Sequence, residues 1–166
     1  MYKTFITNQA VPQKNRTQRL EKAKILIIEN SPEQGPLIET SMQYFFTEVE
    51  LVRTRTREQA LAYLEGCLMT GQALPLFIML DLYLPNKADS WRLLEQLRGH
   101  GSAMSSLPVV MLSASDYDED IAESYSRGVT SYLVKPVETE GWNKLLRALK
   151  RYWLSTVLLP DSPDKP

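Results

Sequence analysis

Five short apolar runs, separated by stretches of helical periodicity, constrain this chain more than any other feature. Residues 24–29 (KILIIE), 76–80 (LFIML) and 108–113 (PVVMLS) are almost continuously apolar, as strands buried on both faces must be. Residues 49–53 and 130–135 read as two further strands. Between them lie helix starts. Ser31-Pro32-Glu33-Gln34 offers an N-cap, a proline at the first helical position and a capping-box glutamine, and Thr56-Arg57-Glu58-Gln59 repeats the pattern. Helical spacing then runs through Leu37, Ile38, Ser41, Met42 and Phe45, and through Ala60, Leu61, Leu64 and Leu68 as far as the break at residues 71–75. It resumes through Trp91, Leu94 and Leu97 towards Gly99, and through Ile121 and Tyr125 to Gly128, with Asp116 or Asp118 as cap. A last helix is expected from about Thr139 to about Val157. Strict alternation of this kind predicts an α/β fold, a parallel sheet between helical layers.

Composition narrows the function classes. A chain of 166 residues with 43% apolar content can bury a real core in one domain. Cys67 and His100 are the only residues of their types, which excludes an intramolecular disulfide and any site built on several Cys or His. The longest apolar run, residues 74–84, contains Pro75 and Asp81 and is too short to span a bilayer, and residues 1–16 lack a signal-type apolar core. A cytoplasmic protein with no membrane partner is the expectation. Residues 1–24 hold six Lys and Arg against Glu21, so a basic arm precedes an acidic body. The expected organisation is a basic extension over residues 1–23, a domain over 24–159 and a Pro-rich tail over 160–166.

In parallel sheets of this class, ligands gather outside the carboxyl ends of the strands. The residues there are Glu29 and Asn30, Asp81, Ser113 and Lys135. Two carboxylates at one sheet edge repel unless a cation or Lys135 compensates them. Oxygen donors of this kind suit Mg²⁺. Asp81 has the chemistry of a nucleophile that forms an acyl phosphate, with the Ser113 hydroxyl and the Lys135 ammonium to receive phosphoryl oxygens.

Four segments carry a resemblance: Ile27-Ile28-Glu29-Asn30-Ser31-Pro32, Ile78-Met79-Leu80-Asp81-Leu82-Tyr83-Leu84-Pro85, Val109-Val110-Met111-Leu112-Ser113-Ala114 and Tyr132-Leu133-Val134-Lys135-Pro136. Together they resemble the signatures of bacterial response-regulator receiver domains, over about residues 24–157. The resemblance implies a flavodoxin-like (βα)5 fold, a doubly wound five-stranded parallel sheet of order 2-1-3-4-5. It implies phosphorylation of Asp81 by a histidine kinase or phosphotransfer protein, with Mg²⁺ held by Glu29, Asn30, Asp81 and Tyr83. It assigns Ser113 and Tyr132 to the switch positions and Lys135 to the family's lysine, followed by a cis bond to Pro136. It marks a signalling protein rather than an enzyme. The long closing helix and its Tyr152, Trp153 and Leu154 are similar to stand-alone receivers that partner cyanobacterial phytochromes.

Two positions depart from that pattern. Asn30 stands where the family has a metal-ligating Asp, so Mg²⁺ affinity should fall. Ala88-Asp89 replaces a frequent Asp-Gly, with Asp89 expected to tolerate a left-handed backbone. Asn30 also motivates the alternative, a degenerate receiver acting as a phosphorylation-independent protein-binding module. An aspartate-nucleophile phosphohydrolase would need a second Asp where Tyr83 stands. Only 31 residues follow Lys135, too few for a DNA-binding domain after the last helix, so output is expected through contacts with an unknown downstream protein. The apolar stripe Trp142, Leu145, Leu146, Leu149, Trp153 and Val157 predicts a helix whose end projects beyond the domain, leaving residues 152–159 to bury themselves in a homodimer.

Overall fold

The computed structural model describes residues 23–157. The basic extension, apart from its last residue, and the Pro-rich tail with Leu158 and Leu159 lie outside that range. Strands β1 (Lys24–Ile28), β2 (Glu50–Thr54), β3 (Phe77–Asp81), β4 (Val109–Ser113) and β5 (Ser131–Val134) alternate with helices α1 (Gln34–Phe45), α2 (Arg57–Thr70), α3 (Lys87–Arg98), α4 (Asp118–Ser126) and α5 (Thr139–Lys150). All strand pairs are parallel, in the order β2-β1-β3-β4-β5, the (βα)5 arrangement expected from the resemblance.

The two-residue period of a strand sorts side chains onto two faces. Leu26, Ile28, Ile78, Leu80, Val109 and Met111 meet α2 and α3 on one side. Ile25, Ile27, Phe77, Met79, Val110 and Leu112 meet α1 and α5 on the other. The three central strands therefore read as continuous apolar runs, while the edge strands β2 and β5 are only half buried.

Local chemistry sets the helix starts, with departures from expectation. The Ser31 hydroxyl accepts from Gln34 N at 3.0 Å, but α1 opens at Gln34 with Glu33 rather than Ser31 as its N-cap residue, and the Gln34 side chain turns to Lys135 at 2.8 Å instead of closing a capping box. Thr56 caps α2 by accepting from Gln59 N at 3.2 Å, and α2 ends on Gly71 at φ 65°. Neither Asp116 nor Asp118 caps α4. Tyr117 is its N-cap residue, without a side-chain cap bond, and Asp118 is its first helical residue. Asp89 needs no left-handed backbone, because it lies in the first turn of α3 and donates its N–H to Asn86 Oδ1 at 3.1 Å. Among the described residues the cis peptide bond is Leu84–Pro85, so the cis bond expected before Pro136 is absent.

The closing segment corrects another expectation. The α-helix stops at Lys150 and a π-helical turn, Arg151–Thr156, succeeds it. Within this turn the adjacent residues Trp153 and Leu154 are both buried. Trp153 stacks on Phe77 of β3 with ring centroids 4.8 Å apart, and Leu154 is buried in the same cluster. The apolar stripe thus faces the protein's own core, and the end of the segment packs down instead of projecting. Tyr152 remains half exposed, edge-on to Trp153.

Candidate functional site

Parallel pairing ends β1, β3 and β4 along one sheet edge, and backbone hydrogen bonds anchor the residues just beyond the strands. Glu29 N donates to Thr54 O at 3.1 Å, Leu82 N to Leu112 O at 3.3 Å and Lys135 N to Ser113 O at 2.7 Å. The buried Ser90 hydroxyl of α3 donates to Asp81 O at 2.9 Å and holds the end of β3. Glu29, Asp81 and Ser113 are all buried there.

Lys135 joins them. Its Nζ lies 2.7 Å from Glu29 Oε2 and 3.3 Å from Asp81 Oδ2, and it donates to Gln34 Oε1 at 2.8 Å. The ammonium group has three protons and three acceptors. Each carboxylate also accepts one backbone N–H: Ser31 N to Glu29 Oε1 at 2.9 Å, and Tyr83 N to Asp81 Oδ1 at 3.2 Å. Burial pushes the Asp81 pKa up to about 6, against the opposing pull of Lys135 and with the Glu29 charge adding to the rise. Asn30 is half exposed beside Glu29, and its side chain makes no hydrogen bond among the described residues.

The donor set fits a hard divalent cation, but weakly. Two carboxylates, the Asn30 amide and a backbone carbonyl after Asp81 supply only oxygen. Lys135 already neutralises one of the two negative charges, and Asn30 adds none.

The Ser113 hydroxyl accepts from Ser115 N at 3.1 Å, leaving its own proton free to donate. Tyr132 is half buried against the core, and its hydroxyl donates to Ser115 O at 2.9 Å. The phenol is therefore turned inward. The structure thus brings Glu29, Asp81, Ser113 and Lys135 together, with Asn30 and Tyr83 at the rim. Three participants escape sequence reasoning. Ser115, Lys87 and Asp120 form a polar cluster beside the site: Ser115 Oγ donates to Asp120 Oδ2 at 2.5 Å, and Lys87 pairs with Asp120 Oδ1. Lys87 and Asp120 stand 33 residues apart, and only the fold joins them.

Such a constellation at the carboxyl edge of a 2-1-3-4-5 sheet is the arrangement of a receiver-type (βα)5 domain. The family model "Response regulator receiver domain" matches residues 25–149, and the chain belongs to that family. "Probable methanogenesis regulatory protein FilR2" of Methanothrix harundinacea is 32% identical over 130 residues, covering 78% of this chain and 83% of that protein. "Response regulator Rcp1" of Synechocystis is 29% identical over 140 residues, 82% of this chain and 92% of that one. Among solved structures, the Mn(2+)-bound form of Rcp1 superposes with a TM-score of 0.70 at 28% identity, covering 83% of this chain and 99% of that one. The phosphorylated cyanobacterial phytochrome response regulator RcpA gives 0.72 at 29%, covering 84% and 99%.

Proposed function

We propose that this protein is a response regulator that accepts a phosphoryl group on Asp81 from a histidine kinase or a phosphotransfer protein and signals through protein contacts. One observation carries the reading: Lys135 bridges the Glu29 and Asp81 carboxylates while the Ser113 hydroxyl, at the end of the next strand, keeps a proton to donate. Asp81 attacks as the carboxylate. Its raised pKa predicts that the phosphorylation rate climbs as pH passes through about 6. On the incoming phosphoryl group, Lys135 and Ser113 neutralise and hydrogen-bond the oxygens. Asp81 then no longer shares Lys135 as a free carboxylate, and the neutral, exposed Gln34 is the partner that Lys135 releases most cheaply.

A divalent cation, Mg²⁺ in this reading, would be held by Glu29, Asn30, Asp81 and the Tyr83 carbonyl. It would supply charge neutralisation between the carboxylates and the phosphoryl oxygens. No helix among the described residues is long and apolar enough to cross a membrane. Self-association through the closing segment now has Tyr152 and the exposed Val134 and Val137 to draw on, rather than Trp153 and Leu154.

One observation favours a second reading, a receiver that binds its target without phosphorylation: Asn30 brings no charge to the metal site. Beryllofluoride, which mimics an aspartyl phosphate, separates the readings when added with Mg²⁺ to protein labelled for backbone NMR. Shifts at residues 113–117 and 135 that vanish in Asp81→Asn support the switch. A parent spectrum that does not move at millimolar beryllofluoride and Mg²⁺ supports the binding module.

A further inference from the structure

Most helices of this fold are held by apolar side chains, but α4 is not. Its fully buried residues are Asp120 and Ser124, both polar. Charged side chains tie it to α3 at both ends. At one end, Lys87 pairs with Asp120, whose carboxylate is 4% exposed and also accepts from Ser115 Oγ at 2.5 Å and Tyr83 OH at 3.5 Å. At the other, Arg127 pairs with Glu95 at 3.0 Å and lies over the Trp91 ring at 5.0 Å.

Ser115 is where the first tether meets the phosphoryl-acceptor site. All its polar groups are engaged. Its N–H donates to Ser113 Oγ, its carbonyl accepts from Tyr132 OH, and its hydroxyl donates to Asp120 while accepting from Tyr117 N at 3.3 Å. A serine fixed through its side chain by a buried, paired carboxylate cannot rotate its peptide groups freely. The direction of the Ser113 hydroxyl and the seat of the Tyr132 phenol are then set by the same small residue.

We propose that Lys87 and Asp120 are positioning residues which, through Ser115, aim the Ser113 hydroxyl at Asp81 and hold Tyr132 inward. The assignment deepens the reading of Ser113 and Tyr132 as a switch pair. An unpaired Asp120 left beside Ser115 is a buried charge without its counter-ion, and the β4–α4 loop relaxes to solvate it. Phosphorylation then acts on a loop already poised, so Lys87 tunes how much of the response is present beforehand.

Amide exchange in the unphosphorylated protein tests this directly. Ser115 N–H and Tyr117 N–H report the two bonds that Ser115 organises. Both should exchange about tenfold faster in Lys87→Met and Asp120→Asn, since each loses a charge-assisted contact. Lys87→Arg should restore parental rates. Arg127→Met, which cuts the far tether of α4, should leave both amides unchanged, and melting temperatures show whether each variant is folded. Parental exchange in Lys87→Met and Asp120→Asn, or acceleration equal to that in Arg127→Met, overturns the proposal. Failure of the parent to answer beryllofluoride would instead bear on the phosphorylation reading, because the exchange rates need no phosphoryl group.

Discussion

Asp81 is held in a state that costs stability. Its folded pKa of about 6 lies above the ordinary carboxylate value of 3.8, so between those values the folded protein binds more protons than the unfolded chain. Stability from this residue is full below about pH 4 and is lost as pH rises through about 6. Asp81→Asn should therefore raise stability at pH 7.5 by about 2 kcal/mol, with the gain shrinking below pH 6 and gone near pH 4. Thermal melts of both proteins across that range check it. A gain that grows towards acid pH would contradict the origin in burial. The neighbouring position makes a complementary prediction. Asn30→Asp returns a charge beside Glu29 and should tighten Mg²⁺ binding by about tenfold, measured by titration calorimetry. Equal affinities would remove Asn30 from the ligand set.

At the scale of the element, the closing segment is the most informative. The stripe from Trp142 to Val157 is legible in the sequence because side chains at spacings of three and four share one helix face. Its packing partner is not legible, since a stripe does not say whether that partner is the same chain or another. The π-helical turn answers by seating Trp153 on Phe77. Trp153→Ala should accordingly cost about 3–5 kcal/mol of stability by opening a cavity in the core. Denaturant unfolding reads this, and a loss under about 1 kcal/mol would place Trp153 on an accessory surface instead. The strand-end residues Glu29, Asp81 and Ser113 can be read from sequence because each ends an unmistakable apolar run, and Lys135 because it closes the last strand-like segment. Ser115, Lys87 and Asp120 cannot. Their types are ordinary for loops and helix starts, and their partnership depends on how α3 and α4 lie across the sheet edge. Asp89 misleads for a similar reason: the Asn86 cap draws it into the first turn of α3, where no unusual backbone is required.

For the whole molecule, order and charge divide the work. Three central strands buried on both faces make a rigid floor, and the polar residues at its carboxyl edge sit where no apolar packing competes. Lys135 bridges two carboxylates and neutralises one of their two charges, so an incoming phosphoryl group would change the charge of a buried polar network. In the proposed reading that change would reach α4 and β5 through Ser113, Ser115 and Tyr132, which are joined by direct bonds. Incubation with acetyl phosphate and Mg²⁺, then intact-mass measurement, tests whether Asp81 takes up a phosphoryl group. The parent should gain a single phosphoryl group, lost on alkaline treatment and absent from Asp81→Asn. An unmodified parent mass at millimolar Mg²⁺, or an addition that survives in Asp81→Asn, would contradict it.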